Sequence, residues 1–227
     1  MTVRAVLFDV GNTLLTLDYP RLARGVAGVA GVPVSVDGLV AAAPTAARAL
    51  EGGGADDRDR AVVYLETLLR LVGVPPGAMG AVRSRLAELH RERHLWTGVA
   101  SGTAEALDRL RRSGRRLGVV SNGDGRVDGA LAAAGLRRFF EVVVDSRQVG
   151  VEKPDPRIFH AALERLGVRP PEALYVGDVY EVDVLGARAA GMDAVLLDPA
   201  GREPGRDVPV VRSLTELADA LVGRSRD

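Results

Sequence analysis

The chain has 227 residues, 47% of them hydrophobic, with 30 basic and 30 acidic side chains and a formal net charge of +0. That length and apolar share suit a core domain carrying a smaller inserted one, and the balanced charge offers no electrostatic footprint for nucleic acid or a membrane surface. There is no cysteine, which excludes disulfides, thiolate nucleophiles and zinc–thiolate sites together.

The first predicted element is the strand Val6-Leu7-Phe8, which ends at Asp9 and is followed by the turn Gly11-Asn12-Thr13. A buried strand that releases an acid into a tight polar turn places it at the carboxyl edge of a sheet, where open α/β folds keep their sites. The same residues would serve a strand end that merely starts a turn, so the rest of the chain decides. The apolar run is too short for a signal peptide and is interrupted by Asp9. No stretch approaches a membrane span, and the chain reads as soluble and cytoplasmic.

From Leu17 to Thr97 the pattern is helical. Segments near 21–30, 36–51, 58–73 and 76–95 are rich in Ala, Leu, Arg and Glu, and none is a convincing strand. Gly52-Gly53-Gly54 and Pro75-Pro76-Gly77 are the breaks between them. His90 and His94 stand i, i+4 on the last of these helices, but without the glutamate of the zinc-protease pattern the spacing reads as a solvated helix face.

Beyond Ser101 helices and strands alternate. Helix 103–113 precedes the strand Leu117-Gly118-Val119-Val120, which ends at Ser121-Asn122-Gly123. Helix 126–135 leads to Val142-Val143-Val144, and the loop Gly150 to Pro156, with Lys153 inside it, opens helix 157–166. Strand Leu174-Tyr175-Val176 ends at Gly177-Asp178, helix 181–190 follows, and strand Ala194 to Leu197, an edge strand near 208–211 and helix 213–222 complete the chain. This alternation predicts a Rossmann-like, doubly wound parallel sheet, residues 1–16 and 98–227, with a helical domain inserted at 17–97. Asp9, Ser121, Asp178 and the loop of Lys153 are then expected along one edge.

Two carboxylates gathered there, Asp9 and Asp178, repel unless a cation sits between them. All-oxygen ligands suit Mg²⁺, and Asp183, five residues on, can orient the ligands from behind. With the Ser121 hydroxyl, the Lys153 ammonium and the backbone amides of Gly11, Asn12 and Thr13, this is a positive cradle for a phosphoryl group, which Asp9 could attack. Lysine itself is a signal here: of 30 basic residues only Lys153 is not arginine. A compact ammonium is not interchangeable with a planar guanidinium, so its place in this loop reads as a neutraliser of the paired acids and a ligand for a phosphate oxygen.

Over essentially its whole length the chain resembles the haloacid dehalogenase-like hydrolase superfamily, in the subtype with a helical cap. Four motifs stand in order: Asp9-Val10-Gly11-Asn12-Thr13, Ser121-Asn122, Lys153-Pro154-Asp155-Pro156, and Gly177-Asp178 with Asp183. The resemblance implies an Asp9 nucleophile aided by Ser121 and Lys153. It also implies substrate contacts from Asn12, Thr13, Ser121, Asn122 and Lys153, and Mg²⁺ held by Asp9, the Gly11 carbonyl, Asp178 and Asp183. Hydrolysis of a small-molecule phosphate ester is the expected activity.

One position departs from the pattern. Phosphatases of this superfamily usually carry a second aspartate two residues after the nucleophile, as general acid and base, and here it is Gly11. Such help is typically worth about 10²–10⁴ in rate, and Asp18 is the nearest alternative in sequence. A 2-haloacid dehalogenase also lacks that aspartate, but Asp178 beside Asp9 would make a poor site for an anionic haloacid. A phosphonatase needs a cap lysine for its Schiff base, and the only lysine is Lys153. The remaining alternative is a member that binds phosphate or a partner with little or no turnover.

Overall fold

The computed structural model describes residues 2–48, 57–201, 205 and 207–223; the expected break at Gly52-Gly53-Gly54 lies outside them. The elements run β1 (Ala5–Phe8), β2 (Thr16–Leu17), α1 (Tyr19–Val26), α2 (Val36–Arg48), α3 (Asp57–Leu71), α4 (Met79–Glu92) and β3 (Trp96–Gly98). There follow α5 (Thr103–Arg112), β4 (Arg116–Ser121), α6 (Val127–Ala133), β5 (Val142–Asp145), α7 (Ser146–Val149) and α8 (Pro156–Leu166). The last are β6 (Ala173–Gly177), a π turn (Tyr180–Val184), α9 (Leu185–Ala189), β7 (Asp193–Leu197), β8 (Val210–Val211) and α10 (Leu214–Val222).

The chain forms two compact units, Met1–Thr16 with Trp96–Asp227, and Leu17–Leu95. In the first, six strands lie in the order β5-β4-β1-β6-β7-β8, every pair parallel. β1 is the centre, because the chain builds outward on one side through β4 and β5 and then crosses to the other through β6, β7 and β8. The crevice at the carboxyl ends of β1 and β6 is therefore the switch point of the sheet, the position where such folds bind ligands.

Pleating sends alternate residues of each strand to opposite faces. Val6 and Phe8 join Leu107 and Leu110 of α5, Leu131 of α6 and Leu217 of α10. Ala5 and Leu7 join Ile158, Phe159 and Leu163 of α8 and Ala187 of α9. All four residues of β1 are fully buried, as expected of a strand covered on both faces, and burying each large side chain is worth about 1.5–3 kcal/mol. Local chemistry fixes the helix ends. Asp155 accepts from the Arg157 amide at 2.9 Å, Pro156 opens α8, and Gly167, with φ 60°, closes it. The Arg157 guanidinium holds the Asp155 carboxyl down at about 2.

In the second unit, Leu22 and Val26 of α1, Leu39 of α2, Leu68 and Leu69 of α3 and Leu86 and Leu89 of α4 form the buried face. Asp18 caps α1 by accepting from the Arg21 amide at 2.9 Å. Among the described residues no helix is long and apolar enough to cross a membrane.

The structure differs from the sequence reading at several points. β2 and β3 are short strands at the two ends of the stretch read as helical. The helix expected at 181–190 begins as the π turn, and α7 was not anticipated. α4 stops at Glu92, so His94 lies beyond it and the i, i+4 pair is not on one helix. The Arg21 guanidinium ends that helix by donating to the carbonyls of Leu89, Arg93 and His94. The two imidazole rings still lie 4.7 Å apart.

α9 approaches the loop of Lys153 through Gly186, where an added Cβ would lie 2.9 Å from both Pro154 Cα and Phe159 Cε2. Gly186→Ala is expected to cost about 1–3 kcal/mol of stability in urea unfolding, the usual penalty of overpacking. A change within about 0.5 kcal/mol would show that this contact yields.

Candidate active site

Asp9 is the first residue past β1, and its amide still donates to Val176 O of β6 at 2.9 Å. The chain then folds back on itself. Val10 O accepts from the amides of Leu14 at 3.0 Å and Leu15 at 2.8 Å, and Asn12 donates to Leu15 O at 2.8 Å. Val10, Leu14 and Leu15 are buried in the core, so apolar anchors on both sides hold this loop. Its left-handed residue is Asn12, φ 54°, one of the few types that tolerate that region. Trp96 Nε1 donates to Asn12 Oδ1 at 3.4 Å. Thr13 is buried, and its Oγ1 has no partner among the described residues.

Lys153 enters from the loop before α8. Its ammonium donates to Asp9 Oδ1 at 2.6 Å, Asp183 Oδ1 at 2.8 Å and the Tyr175 hydroxyl at 3.1 Å. All these groups are buried, where each pairing counts for far more than at the surface. The sequence reading had this ammonium neutralise paired acids and bind a phosphate oxygen; among the described residues it meets the two buried acids Asp9 and Asp183, and the Tyr175 hydroxyl beside them. The Asn122 side chain clamps the Lys153 backbone at both ends, Oδ1 accepting from Lys153 N at 2.7 Å and Nδ2 donating to Lys153 O at 3.0 Å. Asn122 thus spends its amide on the lysine loop.

Asp183 comes from the π turn. Its Oδ2 accepts from Val179 N at 3.0 Å, so both carboxylate oxygens are engaged by donors of the chain. It can come this close because residue 177 is glycine: an added Cβ there would collide with the Asp183 carboxylate. Asp178 lies between Gly177 and that turn, half-buried. Ser121 ends β4, buried, in register with Asp145 of β5.

Two side chains that the sequence reading passed over shape the site. Tyr175 is fully buried on β6 and donates to Val120 O of β4 at 2.8 Å; burial above all pushes its hydroxyl well above the ordinary tyrosine range, so it stays neutral. Asp145 accepts from the amides of Gly125, Val127 and Arg147 at 2.9, 3.3 and 3.0 Å, and so pins the loop after Ser121. A hydroxyl in an otherwise apolar strand, and an acid closing one, were the available signals.

Oxygens of Asp9, Asp178 and Asp183 lie within 4.8 Å of one another. Three carboxylates against one ammonium leave an excess of two negative charges, which one oxygen-preferring divalent cation would balance. The donor set fits Mg²⁺.

Residues 3–191 match the family described as haloacid dehalogenase-like hydrolase, and the chain belongs to it. It is 40% identical over 166 residues to the mouse protein named haloacid dehalogenase-like hydrolase domain-containing protein 3, covering 70% of this chain and 65% of that one. A protein of Mycobacterium tuberculosis named as a phosphatase is 31% identical, covering 98% of this chain and 99% of its own. A crystal structure of a dehalogenase, 27% identical, superposes with a TM-score of 0.69 over 98% of both chains. The chain spans about half to two thirds of the length of the curated relatives it matches first.

Removing the ammonium strands two buried carboxylates. Lys153→Met should lower the unfolding free energy by about 3–5 kcal/mol in chemical denaturation without added metal. A loss under about 1 kcal/mol would mean that the acids do not depend on it.

Proposed function

We propose, from membership of the haloacid dehalogenase-like hydrolase family, that this chain hydrolyses a small phosphate ester through an aspartyl-phosphate on Asp9. The observation that carries the reading is the clustering of Asp9, Asp178 and Asp183 around a single buried ammonium at the switch point of the sheet. A 2-haloacid dehalogenase is disfavoured because such enzymes work without a metal, and Asp178 left uncompensated beside Asp9 would repel an anionic haloacid. The relative matched over nearly its whole length is named as a phosphatase. The Leu17–Leu95 unit is then the helical cap, the part of the chain that chooses the substrate.

In this mechanism Asp9, Asp178 and the Gly11 carbonyl would hold Mg²⁺, with Asp183 bracing them. Bound there, the ion neutralises the phosphoryl oxygens. The Ser121 hydroxyl orients the phosphate, and the Asn12 and Thr13 amides do not, since they donate to Leu15 O and Val10 O within the loop. Lys153 holds Asp9 Oδ1, so the carboxylate presents one fixed orientation to phosphorus. Asp9 oxygen bonds to phosphorus as the ester oxygen leaves with its electron pair; water then attacks phosphorus, frees inorganic phosphate and restores the carboxylate.

Gly11 offers no group to protonate the leaving oxygen or to activate that water. Asp18 does not make up for it, since its carboxylate caps α1 and pairs with Arg93 at 2.9 Å. The fold itself does not require glycine at 11. Its φ is not positive, and an added Cβ would meet only Asp9 Oδ2, at 4.0 Å.

Without a general acid, esters whose leaving group departs unaided are favoured. An aryl phosphate or acetyl phosphate should be turned over about 10²-fold faster than an alkyl phosphate, with a burst of leaving group ahead of a slow steady state. Gly11→Asp should raise the rate on alkyl phosphates selectively. Equal rates on both classes with no burst would show that another group supplies the proton, and halide release from chloroacetate without phosphatase activity would replace the whole reading. Separately, Asp178→Asn should abolish stabilisation of the fold by Mg²⁺ in thermal unfolding, and an unchanged Mg²⁺ titration would remove Asp178 from the cation site.

A further inference from the structure

We propose that Tyr175 is a positioning residue for the reaction at Asp9, acting through Lys153: its hydroxyl fixes where the ammonium sits between Asp9 and Asp183. The kinetic part of this rests on the phosphohydrolase reading; the hold on Lys153 does not.

The sheet order puts β1 between β4 and β6, yet the Tyr175 side chain reaches from β6 past β1 to the Val120 carbonyl on β4. A tyrosine hydroxyl has one proton, and that proton is directed to Val120. Its lone pairs are therefore what Lys153 meets at 3.1 Å. The ring is locked as well, edge-to-face with Phe159 at 4.9 Å between centroids and fully buried. One rigid side chain thus ties together the end of β4, just before Ser121, the strand that leads to Asp178, and the lysine that holds Asp9.

An ammonium has three N–H bonds, and among the described residues its acceptors include two carboxylates and one neutral hydroxyl. The carboxylates draw the charge toward themselves from two directions, and between two similar attractors its position is weakly defined. The hydroxyl is the third point that defines it. It is neutral, so it orients the ammonium without adding to the negative charge of the site. Tyr175→Phe removes this point, keeps the ring and its packing, and leaves the two carboxylates in place.

Because Lys153 is the only lysine in the chain, labelling lysine Nζ with ¹⁵N gives the intact protein a single side-chain ammonium signal. In the wild type that signal should be visible at neutral pH, its protons shielded from water. In Tyr175→Phe it should move, and its hydrogen exchange should quicken about tenfold or more, as expected when a hydrogen bond to a charged group is lost. On an aryl phosphate, kcat should fall about tenfold while KM stays within about twofold, the pattern of a contribution made in the transition state. An unchanged ammonium signal overturns the proposal, whatever happens to the rate, because a loosened core would then be the cause. A shifted signal with unchanged kcat overturns the link to the reaction. If the wild type releases phosphate from no ester, the reading of the reaction falls, and the ammonium signal still decides whether Tyr175 holds Lys153. Should the Phe variant not fold, 3-fluorotyrosine at position 175 keeps the ring and the hydroxyl while weakening the acceptor. The same signal should then shift in the same direction, and no shift overturns the proposal.

Discussion

One ammonium ion among buried acids is the constraint on which the rest of the site depends. Lys153 is 5% exposed, Asp9 7% and Asp183 1%, and charges at that depth are tolerable only when they are paired and hydrogen-bonded. Three separate parts of the chain must therefore arrive together: the end of β1, the loop before α8 and the π turn after β6. The parallel sheet delivers the first and third to adjoining positions because β1 and β6 are neighbours, in register from Ala5 with Ala173 to Phe8 with Val176. The second is brought in by Asn122, which grips the lysine backbone from the end of β4. Missing side chains matter as much as present ones. Gly177 leaves the volume that Asp183 fills, and Gly186 lets α9 lie against Pro154.

The arrangement also accounts for the one lysine in a chain otherwise given to arginine. Arginine works well where a planar fork meets a carboxylate at the surface, as in Arg116 with Glu141 or Arg137 with Asp128. Between Asp9, Asp183 and Tyr175 the acceptors surround a single nitrogen at 2.6 to 3.1 Å. That geometry takes a compact point charge with three donors, and a guanidinium has no such centre.

Much of this was legible in the sequence. Apolar runs ending in Asp9, Ser121 and Asp178 marked three strands and their common edge, since a fully covered parallel strand reads as unbroken hydrophobicity. The parts that were not legible depend on partners far along the chain. Nothing near Glu92 tells α4 to stop; Arg21 does so from another helix. The start of the expected helix at 181 becomes a π turn, which brings Asp183 to Lys153 and to the Val179 amide at once. Tyr175 and Asp145 looked like ordinary strand residues, because a hydroxyl or carboxylate reveals its role only when its acceptor or donors are placed. Lys153 was singled out by composition, but that its ammonium would meet Asp183 and the Tyr175 hydroxyl as well as Asp9 could not be read without coordinates.

The strand order also sets a timetable for synthesis. β1 is the centre of the sheet, yet it is made before every other strand of that sheet, and its two neighbours are β4 and β6. Between β1 and β4 comes the whole Leu17–Leu95 unit, which closes only when α4 has been made to pack against α1. At ribosomal speeds of about 5–20 residues per second, the four apolar residues of β1 wait on the order of ten seconds before β6, about 170 residues later, exists to cover their second edge. Non-local pairing of this kind is slow to nucleate and leaves strand edges open meanwhile. The loop of Asp9 is thus made before the strands that flank it and is among the last parts of the sheet to acquire its shape, and the nascent chain is most exposed to aggregation while the strand leading to its candidate site is still unpaired.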